Sequence, residues 1–213
     1  MSKLLVIVGS TRPNRAADRV VPWALAQAQA QEGFEVELAD LRDWPLPIFA
    51  EHLGTIGDFA DPTYSDPIVR AWNKKVKDAD AFLVVTPEYN HSVPAALKNA
   101  IDSVWLSFGF RNKPVAAIGY SGGIGAGIRA IEHLAQMFIE AEAVPLRNTT
   151  LVPYVNAAFD DQGQPVKPMT GASLKIMLDD LSWWAAALDK ARAAGELVPG
   201  QLRARAALAA LQA

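Results

Sequence analysis

Apolar positions along the chain follow two periods, and the switches between them divide it into elements. Residues 4–8 (LLVIV), 81–85 (AFLVV) and 115–118 (VAAI) are short apolar runs stopped by glycine or by threonine-proline, the pattern of strands buried on both faces. Residues 34–39 (FEVELA) alternate apolar and polar, which predicts a strand nearer a sheet edge. A fifth strand is expected over 143–152, where Pro145 favours an edge position or a strand start. Helical spacing takes over between these runs, over 16–31, 66–78 and 95–105, then over a segment carrying Ile128, Ile131, Leu134 and Phe138. The last strong helix is expected over 171–194, with Leu174, Met177, Leu178, Leu181, Trp184 and Leu188 as its apolar stripe. Strands and helices in alternation predict an α/β fold, a doubly wound five-stranded parallel sheet with helices on both faces.

Residues 1–195 read as one domain, and 196–213 as an alanine-rich, weakly helical tail. The irregular stretch 50–66 is long enough to suggest a functional loop bordering the site. Trp23, Trp72, Trp105 and Trp184 sit at helical positions and are expected to pack, whereas Trp183 is expected to face a partner.

Composition narrows the function. The chain has 213 residues, enough for one well-buried core, and a formal charge of -3 that supplies no basic surface for nucleic acid. It contains no cysteine, which removes disulfides, thiolate metal sites and cysteine nucleophiles, so any redox chemistry must come from a cofactor. His52 and His133 lack ligand-like spacing, and no metal site is expected. The apolar run near the N-terminus is too short for a signal segment or a membrane span. A soluble cytoplasmic protein that engages no membrane is the expectation.

The candidate chemistry lies in three loops, each directly after a predicted strand. In a parallel sheet such loops emerge at one edge and can meet around a single ligand. The first, GSTRPNR at 9–15, joins Ser10, Arg12, Asn14 and Arg15 to a helix start. Unpaired backbone N–H groups, a hydroxyl and arginine together suit a phosphate monoester. Neither the dinucleotide glycine fingerprint nor a Walker A loop is present. The second loop, TPEYNHS at 86–92, places Pro87, Glu88, Tyr89 and Asn90 where backbone groups can meet the edge of a planar heterocycle. Glu88 is expected to brace the loop or orient Arg12, and His91 is read as a surface or capping residue. The third, YSGGIGAG at 120–127, offers Ser121 as a donor and Gly122 and Gly123 as backbone open to close approach.

Taken together, the three loop sequences and the continuation VPAALKNAID at 93–102 resemble the NADPH-dependent FMN reductase family over roughly residues 3–150. The resemblance implies a flavodoxin-like fold with FMN at the carboxyl edge of the strands. It also implies two-electron reduction of a small-molecule acceptor: a quinone, an azo dye, free flavin or an oxyanion such as chromate. By position, Ser10, Arg12, Asn14 and Arg15 match the family's phosphate loop. Pro87, Glu88, Tyr89 and Asn90 match the segment along the ribityl chain and ring, and Ser121, Gly122 and Gly123 match the turn at the ring's polar edge. Many members carry a serine shortly after the first-loop arginine, where this chain has Asn14 and Arg15.

The implied activity is transfer from NADPH or NADH through bound FMN, with no side chain required as acid or base. A large ring needing cover suggests a homodimer or homotetramer, with residues 50–66 and 105–112 as walls. The competing readings are a non-enzymatic flavodoxin-type electron carrier or an FMN-binding regulatory protein.

Overall fold

The computed structural model describes residues 1–52, 54–58 and 62–211. Six strands form one parallel sheet: β1 (Ser2–Val8), β2 (Phe34–Asp40), β3 (Ala81–Pro87), β4 (Pro114–Tyr120), β5 (Val144–Pro145) and β6 (Thr150–Val152). Their order is β2-β1-β3-β4, with β5 and β6 both lying along the outer side of β4. This is the flavodoxin-like arrangement, with β1 and β3 at the centre. Every side chain of β3 is buried, which accounts for a continuous apolar run where β2 alternates.

Side chains of opposite parity enter two separate cores. Leu5, Ile7, Phe82, Val84, Val115 and Ala117 pack against α2 (Pro67–Asp78), α3 (Ala95–Asp102) and α4 (Ile128–Glu140). Leu4, Val6, Val8, Leu83, Val85 and Ile118 pack against α1 (Ala17–Ala30) and α5 (Pro168–Ala193). Each fully buried leucine, valine or phenylalanine contributes about 1.5–3 kcal/mol relative to exposure, so the sheet centre is the most heavily stabilised part of the chain.

Three departures from the sequence expectations have physical reasons. The predicted fifth strand is broken in two. Four steps along β4, from Pro114 to Ile118, are matched by six steps on its neighbour, from Val144 to Thr150. Pro145 has no N–H for the ladder. Leu146 N still donates to Val115 O at 2.8 Å, and the chain then leaves the sheet at Arg147 and Asn148, where Asn148 Nδ2 bonds Asp180 of α5 at 2.6 Å. The helix predicted over 95–105 ends at Asp102 and continues as a short 3-10 turn, Trp105–Ser107. Trp184 is not a core residue. It is 38% exposed and meets Trp183, itself 66% exposed, edge to face at 5.2 Å.

The tail expectation fell on 196–213, of which Gln212 and Ala213 lie outside the described residues. Of the described part, 200–211 form α6 (Gly200–Leu211), a helix with no buried residue. Among the described residues, no helix is long and apolar enough to cross a membrane.

Candidate cofactor site at the carboxyl edge

The loops after β1, β3 and β4 open at the same edge of the sheet, as their parallel register requires. In the first loop, Gly9 N continues the ladder to Val85 O, and beyond it the chain turns away. None of the backbone N–H groups of Ser10, Thr11, Arg12, Asn14 or Arg15 has an acceptor among the described residues. Thr11, Arg12 and Asn14 are exposed, and Asn14 takes a left-handed conformation (φ 51°) that re-aims the chain into α1. A row of unpaired amides at the start of a helix, flanked by an exposed arginine, has the donors that suit an anion.

Arg15 takes a different place from Arg12. Its guanidinium is buried, and it donates to both carboxylate oxygens of Asp40, to Asp18 (2.9 Å) and to the Ser10 carbonyl. Four of its five N–H donors are thereby engaged inside the chain. Burial works against its charge, yet the hydrogen bonds it donates to Asp40 and Asp18 outweigh that and hold its pKa above the ordinary value. Asp40 likewise is held below the usual carboxylate range, because the Arg15 hydrogen bond overcomes the cost of its burial. Arg15 thus fixes the loop from beneath, and Arg12 is the first-loop arginine with its guanidinium exposed.

The second loop is a two-residue hairpin. Tyr89 and Ser92 exchange backbone hydrogen bonds of 2.9 and 3.1 Å, and the residues between them, Asn90 (φ 47°) and His91 (φ 71°), are both left-handed. That is type I′ geometry, which favours asparagine at its first position and strains a histidine at its second. The Tyr89 hydroxyl lies 2.7 Å from Ser10 Oγ, and the Arg12 guanidinium stands 5.2 Å from the Tyr89 ring centre. The first two loops are therefore coupled by a hydroxyl pair and a cation over an aromatic face. The Tyr120 phenol is buried beside Ser10 and Tyr89, and desolvation pushes its pKa up, so it stays protonated.

The third loop faces its backbone in a defined direction. Its Ser121 and Gly123 carbonyls accept from Val155 N (3.0 Å) and Tyr154 N (3.2 Å), while the amides of Gly122 and Gly123 have no acceptor among the described residues. A Cβ placed on Gly122 or Gly123 would meet nothing within 4 Å, so the backbone there lies open to a flat ligand. Ser121 Oγ donates to Gly123 O at 3.0 Å, so its hydroxyl organises this turn. Gly127 closes the loop at φ 85°, where a Cβ would lie 2.6 Å from Tyr120 N.

Glu88 braces the site, though through a residue the sequence reading did not single out. Its Oε1 pairs with Arg129 in the first turn of α4 and its backbone N donates to Tyr120 O at 3.2 Å, whereas Arg12 lies over the Tyr89 ring. Arg129 Nη1 also lies 3.3 Å from His91 Nδ1, and His133 Nδ1 lies 2.9 Å from Ser92 Oγ, so α4 clamps the hairpin at three points. The available signal was an arginine two residues after the Gly125–Gly127 turn. Asp40 was missed as well, although β1–β2 pairing sets it opposite Val8 and hence beside the first loop.

Just ahead of the expected wall at 50–66, Phe49 N and the Pro47 carbonyl are pinned by the Asn99 side chain at 2.8 Å each, and within that stretch Glu51 ties Thr55 to Ser65. Leu53 and residues 59–61 of the 50–66 stretch lie outside the described residues. The 105–112 stretch is not a wall of this site within one chain. It leads from α3 into β4, and its residues 107–109 and 111 line a cavity at the opposite, amino edge.

The arrangement thus offers an anion receptor at one end and, at the other, open polar backbone suited to a flat heterocycle, which are the requirements of FMN. The model of the NADPH-dependent FMN reductase family matches residues 2–157. The chain belongs to this family. An NAD(P)H-dependent FMN reductase of Schizosaccharomyces pombe is 34% identical over 71% of this chain and 74% of its own length. A second, from Pseudomonas aeruginosa, is 30% identical over 85% of this chain and 94% of its own. The flavoenzyme NAD(P)H:(acceptor) oxidoreductase FerB of Paracoccus denitrificans shares the fold, with a TM-score of 0.69 at 24% identity over 88% of this chain and 98% of that one. As an FMN reductase family member, the protein is an FMN-dependent NAD(P)H oxidoreductase.

Proposed function

We propose that the three loops are the FMN site and that the protein passes two electrons from NAD(P)H to a quinone. The observation that carries the site assignment is the row of unpaired amides at Ser10, Thr11, Arg12, Asn14 and Arg15 beside the exposed Arg12. These amides and the Arg12 guanidinium bind the phosphate, and Asn14 sets the direction in which the last of them face. Arg15 and Asp40 hold the loop in that shape and are positioning residues. The Ser10–Tyr89 pair keeps the phosphate loop in register with the hairpin. Pro87, Glu88, Tyr89 and Asn90 line one side of the ring, with Ser121, Gly122 and Gly123 at its polar edge.

FMN held there would supply the two-electron redox chemistry that links the nicotinamide to the acceptor. The chain's own part is to orient the ring, to hold it through Glu88 and Arg129 against α4, and to leave one face open to both reactants in turn. Relatives of similar size support the acceptor class. A 2-hydroxy-1,4-benzoquinone reductase of Burkholderia sp is 30% identical over 85% of this chain, and an NADPH:quinone oxidoreductase of Arabidopsis thaliana is 34% identical over 68%. Gly122 and Gly123 are exposed and Ile124 is 80% exposed beside them, so a second copy that covers this edge completes the site as a homodimer. The proposed location is the cytoplasm, as the sequence reading has it.

The test is anaerobic. Stoichiometric NADPH, then NADH in a parallel cuvette, should bleach the bound flavin, and 1,4-benzoquinone should restore its colour in a second step. Bound flavin that stays oxidised with both nucleotides would mark an electron carrier and overturn the reductase reading. Bleaching without reoxidation by quinone would overturn the acceptor.

A further inference from the structure

Tyr154 stands apart from the other tyrosines of the chain. Tyr64 and Tyr120 are buried, and Tyr89 is half-buried with its hydroxyl on Ser10. Tyr154 is 51% exposed, and its hydroxyl has no hydrogen-bond partner among the described residues. It follows β6 at the carboxyl edge and takes a left-handed backbone (φ 48°, ψ 49°). Residues with a Cβ adopt that conformation at a cost that glycine escapes and asparagine bears most easily.

The left-handed turn has a purpose for the backbone. It aims two successive amides at the third loop, Tyr154 N at Gly123 O (3.2 Å) and Val155 N at Ser121 O (3.0 Å). Val155 then enters the core, 3% exposed, and Tyr154 O accepts from Ala157 N at 2.9 Å. All of these hydrogen bonds are made by main chain, so glycine or asparagine at 154 would serve the turn as well and with less strain. The phenol is therefore not explained by the turn that carries it. Its base is pinned beside Gly122 and Gly123, where the backbone lies open, and Ile124, 80% exposed, flanks the same turn from its far end.

We infer that Tyr154 is a ring-contact residue of the cofactor site, its phenol laid against the polar edge of the isoalloxazine that the Gly122–Gly123 turn receives. The inference rests on the FMN site proposed above. The glycine turn has no side chains with which to cover a flat ligand, and 154 is a neighbouring position tied directly to it. A planar aromatic on a backbone held at both its N–H and its C=O is a surface for offset stacking. The strain of the left-handed tyrosine is then kept for the contact its ring makes, and the same ring narrows the way in for the reactants to flat molecules.

The test is the binding and fluorescence of FMN on the full-length protein. A phenol in contact with the ring quenches its emission, so bound FMN should be weakly fluorescent in the wild type and brighten severalfold in Tyr154→Asn. Affinity should fall about two- to tenfold in that variant, the worth of one stacked aromatic pair, and Tyr154→Phe should keep it. Asparagine suits the left-handed backbone, so Tyr154→Asn apoprotein should melt no lower than the wild type, and a merely structural tyrosine would show that and nothing else. Equal affinity and equal emission in the wild type and Tyr154→Asn overturn the inference. So does a loss of affinity that comes with dissociation of an oligomer in light scattering, which would make Tyr154 an interface residue. Wild-type protein that takes up no FMN overturns the site itself, a distinct result.

Discussion

The two edges of one sheet treat their polar groups in opposite ways. At the carboxyl edge the amides of Ser10, Thr11, Arg12, Asn14, Arg15, Gly122 and Gly123 and the Arg12 guanidinium have no hydrogen-bond acceptor among the described residues, while a few buried struts hold them in place. At the amino edge Arg111 and Lys113 each have two partners from the chain itself and Arg192 has three. Charge alone therefore does not mark a binding site. What marks it is donors presented without acceptors on a backbone too well braced to collapse onto them. The pair Arg12 and Arg15 shows the same contrast three residues apart.

The largest effect should come from removing a strut. Arg15→Met leaves Asp40 and Asp18 facing each other without their shared cation and should destabilise the apoprotein by about 3–5 kcal/mol in urea unfolding. Asp40 is held below its ordinary 3.8, so the pair's contribution is complete above about pH 5 and is lost on acidification through the folded-state value. The variant should lose that acid dependence, and an unchanged midpoint would mean that the loop stands without the strut.

At the amino edge the fold disfavours a charge where at the carboxyl edge it favours one, and the pH window moves to the alkaline side. The Lys113 pKa is lowered in the fold, so between about 8 and the unfolded value of 10.5 the unfolded chain binds more protons. Stability should rise with pH across that window by on the order of 3 kcal/mol, and Lys113→Met should flatten the rise. A wild-type curve that falls throughout the window would show that the amine is not desolvated in the fold.

Gly127→Ala tests the frame of the third loop. Its φ of 85° and a Cβ 2.6 Å from Tyr120 N give a methyl group no room, for a cost of about 2–3 kcal/mol seen as a lower melting temperature. Arg12→Ala should change stability least. It should weaken FMN retention by about 1.5–3 kcal/mol in a fluorescence titration and leave apoprotein unfolding unmoved. If both measurements move together, Arg12 belongs with the struts, and the contrast with Arg15 fails.

Much of this was legible in the sequence because the central strands are buried on both faces and signal themselves as unbroken branched runs. Three loops after three such strands then had to share an edge. The functions of single side chains were less legible, since they depend on partners far along the chain. Arg15 meets Asp40 only through the β1–β2 register, and Glu88 meets Arg129 only once α4 is packed on the sheet. The misplaced 105–112 segment was recoverable from connectivity alone, since a connector from helix to strand in a parallel sheet lies at the amino edge. The break between β5 and β6 was half visible. Pro145 announced a weak ladder, but nothing local announces two surplus residues.

That surplus is an even number, and the evenness matters. Leu146 before the break and Val152 after it face the same core, the one that also takes Ile118 and Tyr120, while Leu151 faces the other. Two residues can thus be gained or lost at 146–149 without turning a single neighbour over, whereas one residue would invert everything that follows. The outer border of this sheet is therefore a place where the chain can change length in pairs, a natural port for insertion or grafting that leaves both cores untouched.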